Sequence, residues 1–309
     1  MFAVALVGIV TLHTHKFTLL LTAMLLVGAY EMVPRKVVGI WVWAKVISLV
    51  ILVIGIAIGL ISVELVMHWR TANDTLEARM LIGERSGNAV HLALFSVLVM
   101  WYAVHNRPMR LWHAVLWMAA NIALYRYVTT SLAGLLMTTF AIVTMLIITH
   151  SETSLKFMAR ISVLMPFVLL AVSLVVGYSY GHSEIANTLN RLFTGRVAYD
   201  HIHLVSGGID LFGNSYSHLL GQGAFDNSYV YLVVVFGAVP TFLLLAAETK
   251  LLNILSHGDK THQIEAVACF LFLVYGLAES MWPSAVVNPT VFYLLYLAAD
   301  GSKGGISCK

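Results

Sequence analysis

Long apolar runs constrain this chain more than any other feature. They fall near 1–12, 17–33, 38–61, 89–104, 111–127, 131–149, 161–181, 229–247, 266–282 and 289–299, about ten in all. A run of roughly 20 apolar residues matches a helix crossing a hydrocarbon layer about 30 Å thick. Lipid offers no partner to backbone N–H and C=O groups, so such segments span as helices that satisfy their own hydrogen bonds. The pattern predicts an all-α polytopic transmembrane helical bundle of about ten spans, one integral membrane domain over 1–309. Only 11% of residues are charged and 60% are hydrophobic, whereas soluble chains carry roughly a quarter charged residues. A soluble domain of this length cannot cover that much apolar surface.

Several function classes are set aside on the same basis. The net charge is +3, and the 18 Lys and Arg are spread over many connections, so no nucleic-acid footprint is expected. Cys269 lies in an apolar run and Cys308 in the tail, which makes neither a disulfide framework nor a metal cluster. The opening MFAVALVGIVTL lacks a basic leader and a small-residue cleavage site, and reads as a first membrane segment.

Charge asymmetry predicts orientation. With the N-terminus in the cytoplasm, the inner connections hold Arg35, Lys36, Arg107, Arg110, Lys156, Arg160, Lys250 and Lys260, and the tail holds Lys303 and Lys309. Positive charge favours the inner side in short connections. The outer side then receives two long segments, a first outer loop at 62–88 and a large outer loop at 182–228. Both carry arginines against that bias, which anion binding explains. Tolerance of charge in long translocated loops explains it equally well.

The larger loop contains LFTGRVAYDHIHLVSGG and ends in GAFDNSY. Arg196 and Arg191 suit a pyrophosphate, because guanidinium groups stay charged and bind phosphate bidentately. Snorkelling to headgroups is the plainer reading. Asp200, His201, His203, Asp210 and His218 add polar chemistry. DHIH lacks a third ligand at characteristic spacing, so no metal site is expected. The glycines at 207, 208, 213, 221 and 223 argue for a tightly folded loop. Its apolar Leu204, Ile209, Leu211 and Phe212 argue that it folds back onto the membrane. Asp226 and Asn227 stand where the next helix begins, so either caps it, or Asp226 serves as general base for a sugar hydroxyl. Tyr229 is expected as an interfacial ring. The first loop contributes Arg79, Gly83 and Asn88, and Arg126 lies at the outer end of the fifth span. Glu64 and Glu279 are second-tier candidates.

In their order, RMLIGERSGN, YRYVTTSLAG, LFTGR, DNSY and Gly237 in VVVFGAV, the chain resembles the O-antigen, capsular and exopolysaccharide repeat-unit polymerases, in the superfamily that includes O-antigen ligases. The likeness covers roughly 79–237. It departs from the family pattern at Ser86–Gly87–Asn88 and at Ser131–Leu132, and has fewer spans than many members. The resemblance implies a membrane glycosyltransferase on the outer side of the bacterial cytoplasmic membrane. It implies undecaprenyl-pyrophosphate-linked oligosaccharides as donor and acceptor, inversion at the anomeric carbon, and no metal or other cofactor. A chain-length regulator is a further expected partner, beside the lipid bilayer. On this reading the catalytic candidates are Arg196, Asp226, Arg79, Arg126, His201 and His203. The substrate-binding candidates are Arg191, Asn88, Asp200, Asp210, Asn227 and Tyr229. A ligase-type transferase and a polysaccharide-lipid transporter or flippase are the rivals.

Overall fold

A computed structural model describes residues 2–70, 75–82, 85–193, 195–215, 225–282 and 284–302. The described chain is mostly helical. It divides into two compact units, one made of 1–37 with 159–309, the other of 38–158.

The 38–158 unit contains most of α3, Pro34–Ala57, the third helix in chain order. This 24-residue helix buries little of its apolar surface. A three-stranded antiparallel sheet follows, β1 Val63–Arg70, β2 Thr75–Ile82 and the short β3 Arg85–Ser86, in the order β1-β2-β3. The register pairs Val63 with Ile82 and Arg70 with Thr75. This corrects the all-α expectation for 62–88. Segments rich in β-branched and aromatic residues, broken by charges every two or three positions, pair well across a hairpin and offer no continuous helical apolar stripe. Then come α4 Gly87–His105, α5 Leu111–Leu124, a π-helical turn at Tyr125–Thr129, α6 Leu132–His150 and α7 Glu152–Ser162. A buried polar knot joins α4, α5 and α6. His91 Nε2 donates to Asn121 Oδ1 at 2.6 Å, and its Nδ1 meets the Thr129 hydroxyl at 2.8 Å. Asn121 Nδ2 donates to Leu135 O at 3.1 Å and to Thr139 Oγ1 at 3.0 Å. The Thr129 hydroxyl also accepts from Ser131 N at 3.3 Å, so these buried groups satisfy one another.

The other unit opens with α1 Phe2–Thr14 and α2 Thr18–Gly28 and resumes with α8 Met165–Ser179. It continues through α9 Glu184–Leu192 and α10 Arg196–Gly207. The one-turn α11 Ser228–Tyr231 runs into a π-helical turn at Leu232–Phe236, followed by α12 Ala238–His257 and α13 Lys260–Tyr275. A 3-10 turn at Pro289–Leu294 leads into α14 Leu295–Ser302. The core centres on α13, where every residue from Glu265 to Leu273 is buried. Gly213 and Gly237 cross so closely that a Cβ on Gly237 would stand 2.2 Å from Gly213 N. Both have positive φ, 89° and 93°. Only glycine fits there, and the crossing pins the stretch around Gly213 to the start of α12.

Among the described residues, four helices are long and apolar enough to cross a membrane, α3, α4, α6 and α12, or five if the bent pair α7 and α8 is one span. The remaining apolar runs also fold as helix but stop short. At about 1.5 Å per residue, the 13 residues of α1, 11 of α2 and 14 of α5 fall below a hydrocarbon thickness of about 30 Å. Apolar sequence continues through turns and π-helical breaks where the helix itself ends.

Candidate functional site

The TGR turn is local backbone chemistry. Gly195, at φ 90°, precedes α10 in a left-handed conformation, and this turns the first residue of the helix, Arg196, inward. Along α10, residues spaced three and four apart share a face, so Arg196, Asp200, His203 and Leu204 are buried together. The helix therefore hides its charged side chains.

Arg196 is the hub of the 1–37 and 159–309 unit. Its Nη2 donates to Glu279 Oε1 at 3.1 Å, its Nη1 donates to the Ala278 carbonyl, and its Nε lies 3.6 Å from Asp226 Oδ2. The side chains of Arg196, Glu279 and Asp226 are 11%, 17% and 25% exposed, so their charges are poorly screened. Three faces of the guanidinium are thus committed to protein oxygens. The side chain reaches into the protein, where it also lines a small cavity.

The DNSY segment divides its work residue by residue. Asn227, not Asp226, caps α11: its Oδ1 accepts from Tyr229 N at 2.9 Å and Val230 N at 3.4 Å. Asp226 is left to face Arg196. The Asn227 amide donates to Asp200 Oδ2 at 3.1 Å and to Ser173 Oγ on α8 at 3.1 Å. Ser228 Oγ donates to the Glu279 carbonyl and accepts from Met281 N at 3.0 Å, which ties the start of α11 to the chain bearing Glu279. Tyr229 is 1% exposed, and its hydroxyl donates to Leu273 O at 2.9 Å. It is a core residue; the expected interfacial ring is corrected, because its hydroxyl finds a partner inside the bundle.

Asp200 is 5% exposed, and its second oxygen, Oδ1, is buried with no hydrogen-bond partner. A cavity of about 70 Å³ lies beside it, lined also by Arg196, Asn227, Ser173, Leu189 and Phe193. Burial raises the Asp200 carboxyl to about 7. The Asn227 hydrogen bond and the Arg196 charge pull it down, and the neighbouring Asp226 charge pushes it up. The site can therefore hold or accept a proton near neutrality.

The two histidines of DHIH diverge, since residues two apart on a helix point to different faces. His201 Nδ1 donates to Gly177 O at 2.9 Å, whereas His203 stacks on Phe225 at 3.7 Å between ring centroids. Among the described residues, no three His, Cys, Asp or Glu side chains are grouped to hold a metal. Arg191 is exposed on α9 and donates to Thr188 Oγ1 at 3.1 Å. Asp210 is exposed, and its carbonyl accepts from Ala238 N at 2.8 Å. In the other unit, Arg126 is exposed on the π-helical turn, Asn88 stands half-buried at the start of α4, and Glu64 is exposed on β1. Arg79 sits on β2 opposite Val66. Gly83, His218, Gly221 and Gly223 lie outside the described residues.

Sequence reasoning ranked Glu279 second and passed over Ser173, Ser228 and Glu248. Glu279 carried a usable signal: a lone acid in an apolar run, GLAESMW, is costly unless paired. Glu248 carried the same one. It is wholly buried at the middle of α12, with neither carboxyl oxygen hydrogen-bonded.

The fold and site define a mostly helical protein, with four or five helices among the described residues long and apolar enough to cross a bilayer, which carries a buried arginine–carboxylate centre. No family model, characterised protein or solved structure matches the chain.

Proposed function

We propose that this chain is a membrane glycosyltransferase that joins undecaprenyl-pyrophosphate-linked oligosaccharide repeat units into a surface or exopolysaccharide. It acts at the extracytoplasmic face of a bacterial cytoplasmic membrane, without a metal and with inversion. The full complement of about ten spans and a chain-length regulator as partner belong to the same proposal. The observation that carries it is the pairing of Asp226 and Glu279 with Arg196, with Asp200 held beside them by Asn227, at a site built largely from the LFTGR and DNSY segments that also carry the family resemblance.

Glycosyl transfer needs a base beside the acceptor and positive charge beside the leaving group. Asp226, the most exposed of the carboxylates that pair with Arg196, takes the proton of the acceptor hydroxyl. The acceptor oxygen bonds to the anomeric carbon as the bond from that carbon to the diphosphate oxygen breaks, and the electron pair leaves with the diphosphate. Arg196 orients the base. Arg191 supplies charge from the exposed side of α9. His201 and His203 support α10 through Gly177 and Phe225.

Deleting the gene tests this. Cells should accumulate single lipid-linked repeat units at the outer face and lose the polymer ladder. Wild-type protein should restore the ladder, and Asp226→Asn at equal membrane level should not. A ladder that persists without the protein defeats the proposal, and accumulation of finished polymer on its lipid carrier points to the ligase-type reaction.

Glu248 favours a second reading, a transporter or flippase. An unpartnered acid at mid-helix is a common mark of proton-coupled transport. In that case deletion strands lipid-linked units on the cytoplasmic leaflet, and Glu248→Gln reproduces the deletion.

A further inference from the structure

The helices around the site have their faces reversed. On α10 the buried arc holds Arg196, Asp200 and His203 together with Val197 and Leu204, whereas the exposed arc holds Tyr199, Ile202 and Val205, at 41%, 40% and 62% exposure. A helix in water turns its apolar arc inward. The exposed apolar surface continues beyond α10 in Leu211, 65% exposed, and Phe212, 42% exposed.

On α9, Ile185 and Leu192 are seven residues apart, hence on one edge, and are 73% and 61% exposed. Glu184 and Arg191, also seven apart, are exposed about 100° further round. The helix thus has a bare apolar edge beside a bare charged edge. This is the form of a helix lying in a membrane interface, with one edge among acyl chains and the other among headgroups. Its chain neighbour α8 continues the surface, with Val172, Val175 and Tyr178 exposed at 44%, 65% and 45%.

We infer that α9 and the outer arc of α10 are seated in the bilayer interface, with Arg191 against anionic lipid headgroups. The Arg196–Asp200 cavity then lies at the membrane surface, walled by Leu189 and Phe193 of the segment that sits in lipid. This placement does not depend on the reaction proposed above and holds equally for a transporter.

The test uses the full chain in vesicles. Single cysteines replace Ile185, Leu192, Val205, Glu184 or Asp210 in a Cys308→Ser background, Cys269 being buried, and each carries a nitroxide. Accessibility to oxygen, which concentrates in lipid, is compared with accessibility to a water-soluble nickel complex. Labels at 185, 192 and 205 should favour oxygen several-fold over the label at Asp210, and the label at 184 should fall between. Moving from phosphatidylcholine to mixed phosphatidylcholine–phosphatidylglycerol vesicles should deepen the label at 192. Arg191→Gln should weaken that response about fivefold, the effect of one interfacial cation. Nickel access at 185, 192 and 205 equal to that at Asp210 overturns the inference in favour of a water-facing surface. Protection from both reagents overturns it in favour of a protein partner or second copy. A response to anionic lipid unchanged by Arg191→Gln removes the headgroup contact.

Discussion

Replacing Arg196 by Gln is the most revealing perturbation. The substitution keeps a hydrogen-bonding side chain of similar reach but deletes the charge held between Glu279 at 3.1 Å and Asp226 at 3.6 Å. Two poorly solvated carboxylates then face each other without a cation. Removing one partner of a buried ion pair costs roughly 3–5 kcal/mol. Exposures of 17% and 25% on the carboxylates place this site at the lower end, about 3 kcal/mol. A second substitution, Glu279→Gln, removes one stranded charge, so the double variant should recover about 1–2 kcal/mol of that loss, a coupling typical of residues in contact. The assay is reversible unfolding of purified protein in mixed detergent micelles, followed by helical circular dichroism, for wild type, both single variants and the double. An Arg196→Gln protein within about 0.5 kcal/mol of wild type, the range of ordinary surface substitutions, would refute the reasoning. So would strictly additive single effects, because the arginine would then not be coupled to Glu279.

Asp200 predicts a pH dependence. Its carboxyl is raised in the folded state to about 7, so between its ordinary unfolded value near 4 and about 7 the folded state binds more proton than the unfolded state. Stability therefore falls as pH rises through that window, and Asp200→Asn should flatten the decline in unfolding midpoint between pH 4 and 7; an unchanged slope would contradict the burial of Oδ1. Asn227→Ala removes the cap of α11 and the donor to Asp200, and should cost about 1–2 kcal/mol by the same unfolding assay, with more of the loss at pH 8 than at pH 5. Gly237→Ala places a Cβ 2.2 Å from Gly213 N, and should lower the yield of folded protein sharply in size-exclusion profiles while Ala238→Ser, one residue on, leaves it unchanged.

The contrast between sequence and structure is clearest in two motifs. LFTGR was legible as a turn with an important arginine, because Gly-Arg after an apolar pair is a local signal. The direction of that arginine was not legible, because it depends on a positive φ at Gly195 and on partners 30 and 83 residues away at Asp226 and Glu279. DNSY was legible as a helix start. Which of Asp226 and Asn227 does the capping was decided by where Arg196 stood, since the cation draws the carboxylate and leaves the amide to the backbone.

Hydrophobicity alone determined that much of this chain folds as apolar helix, because unpaired backbone groups in an apolar medium leave few other solutions. It also determined where polar chemistry gathers. Tertiary structure decided how many of the described runs are long enough to cross a bilayer, paired 63–70 with 75–82 as antiparallel strands, and closed two carboxylates around one guanidinium. Helix length depends on where packing and π-helical turns interrupt it, and an ion pair depends on distances across the fold, neither of which is a property of neighbouring residues.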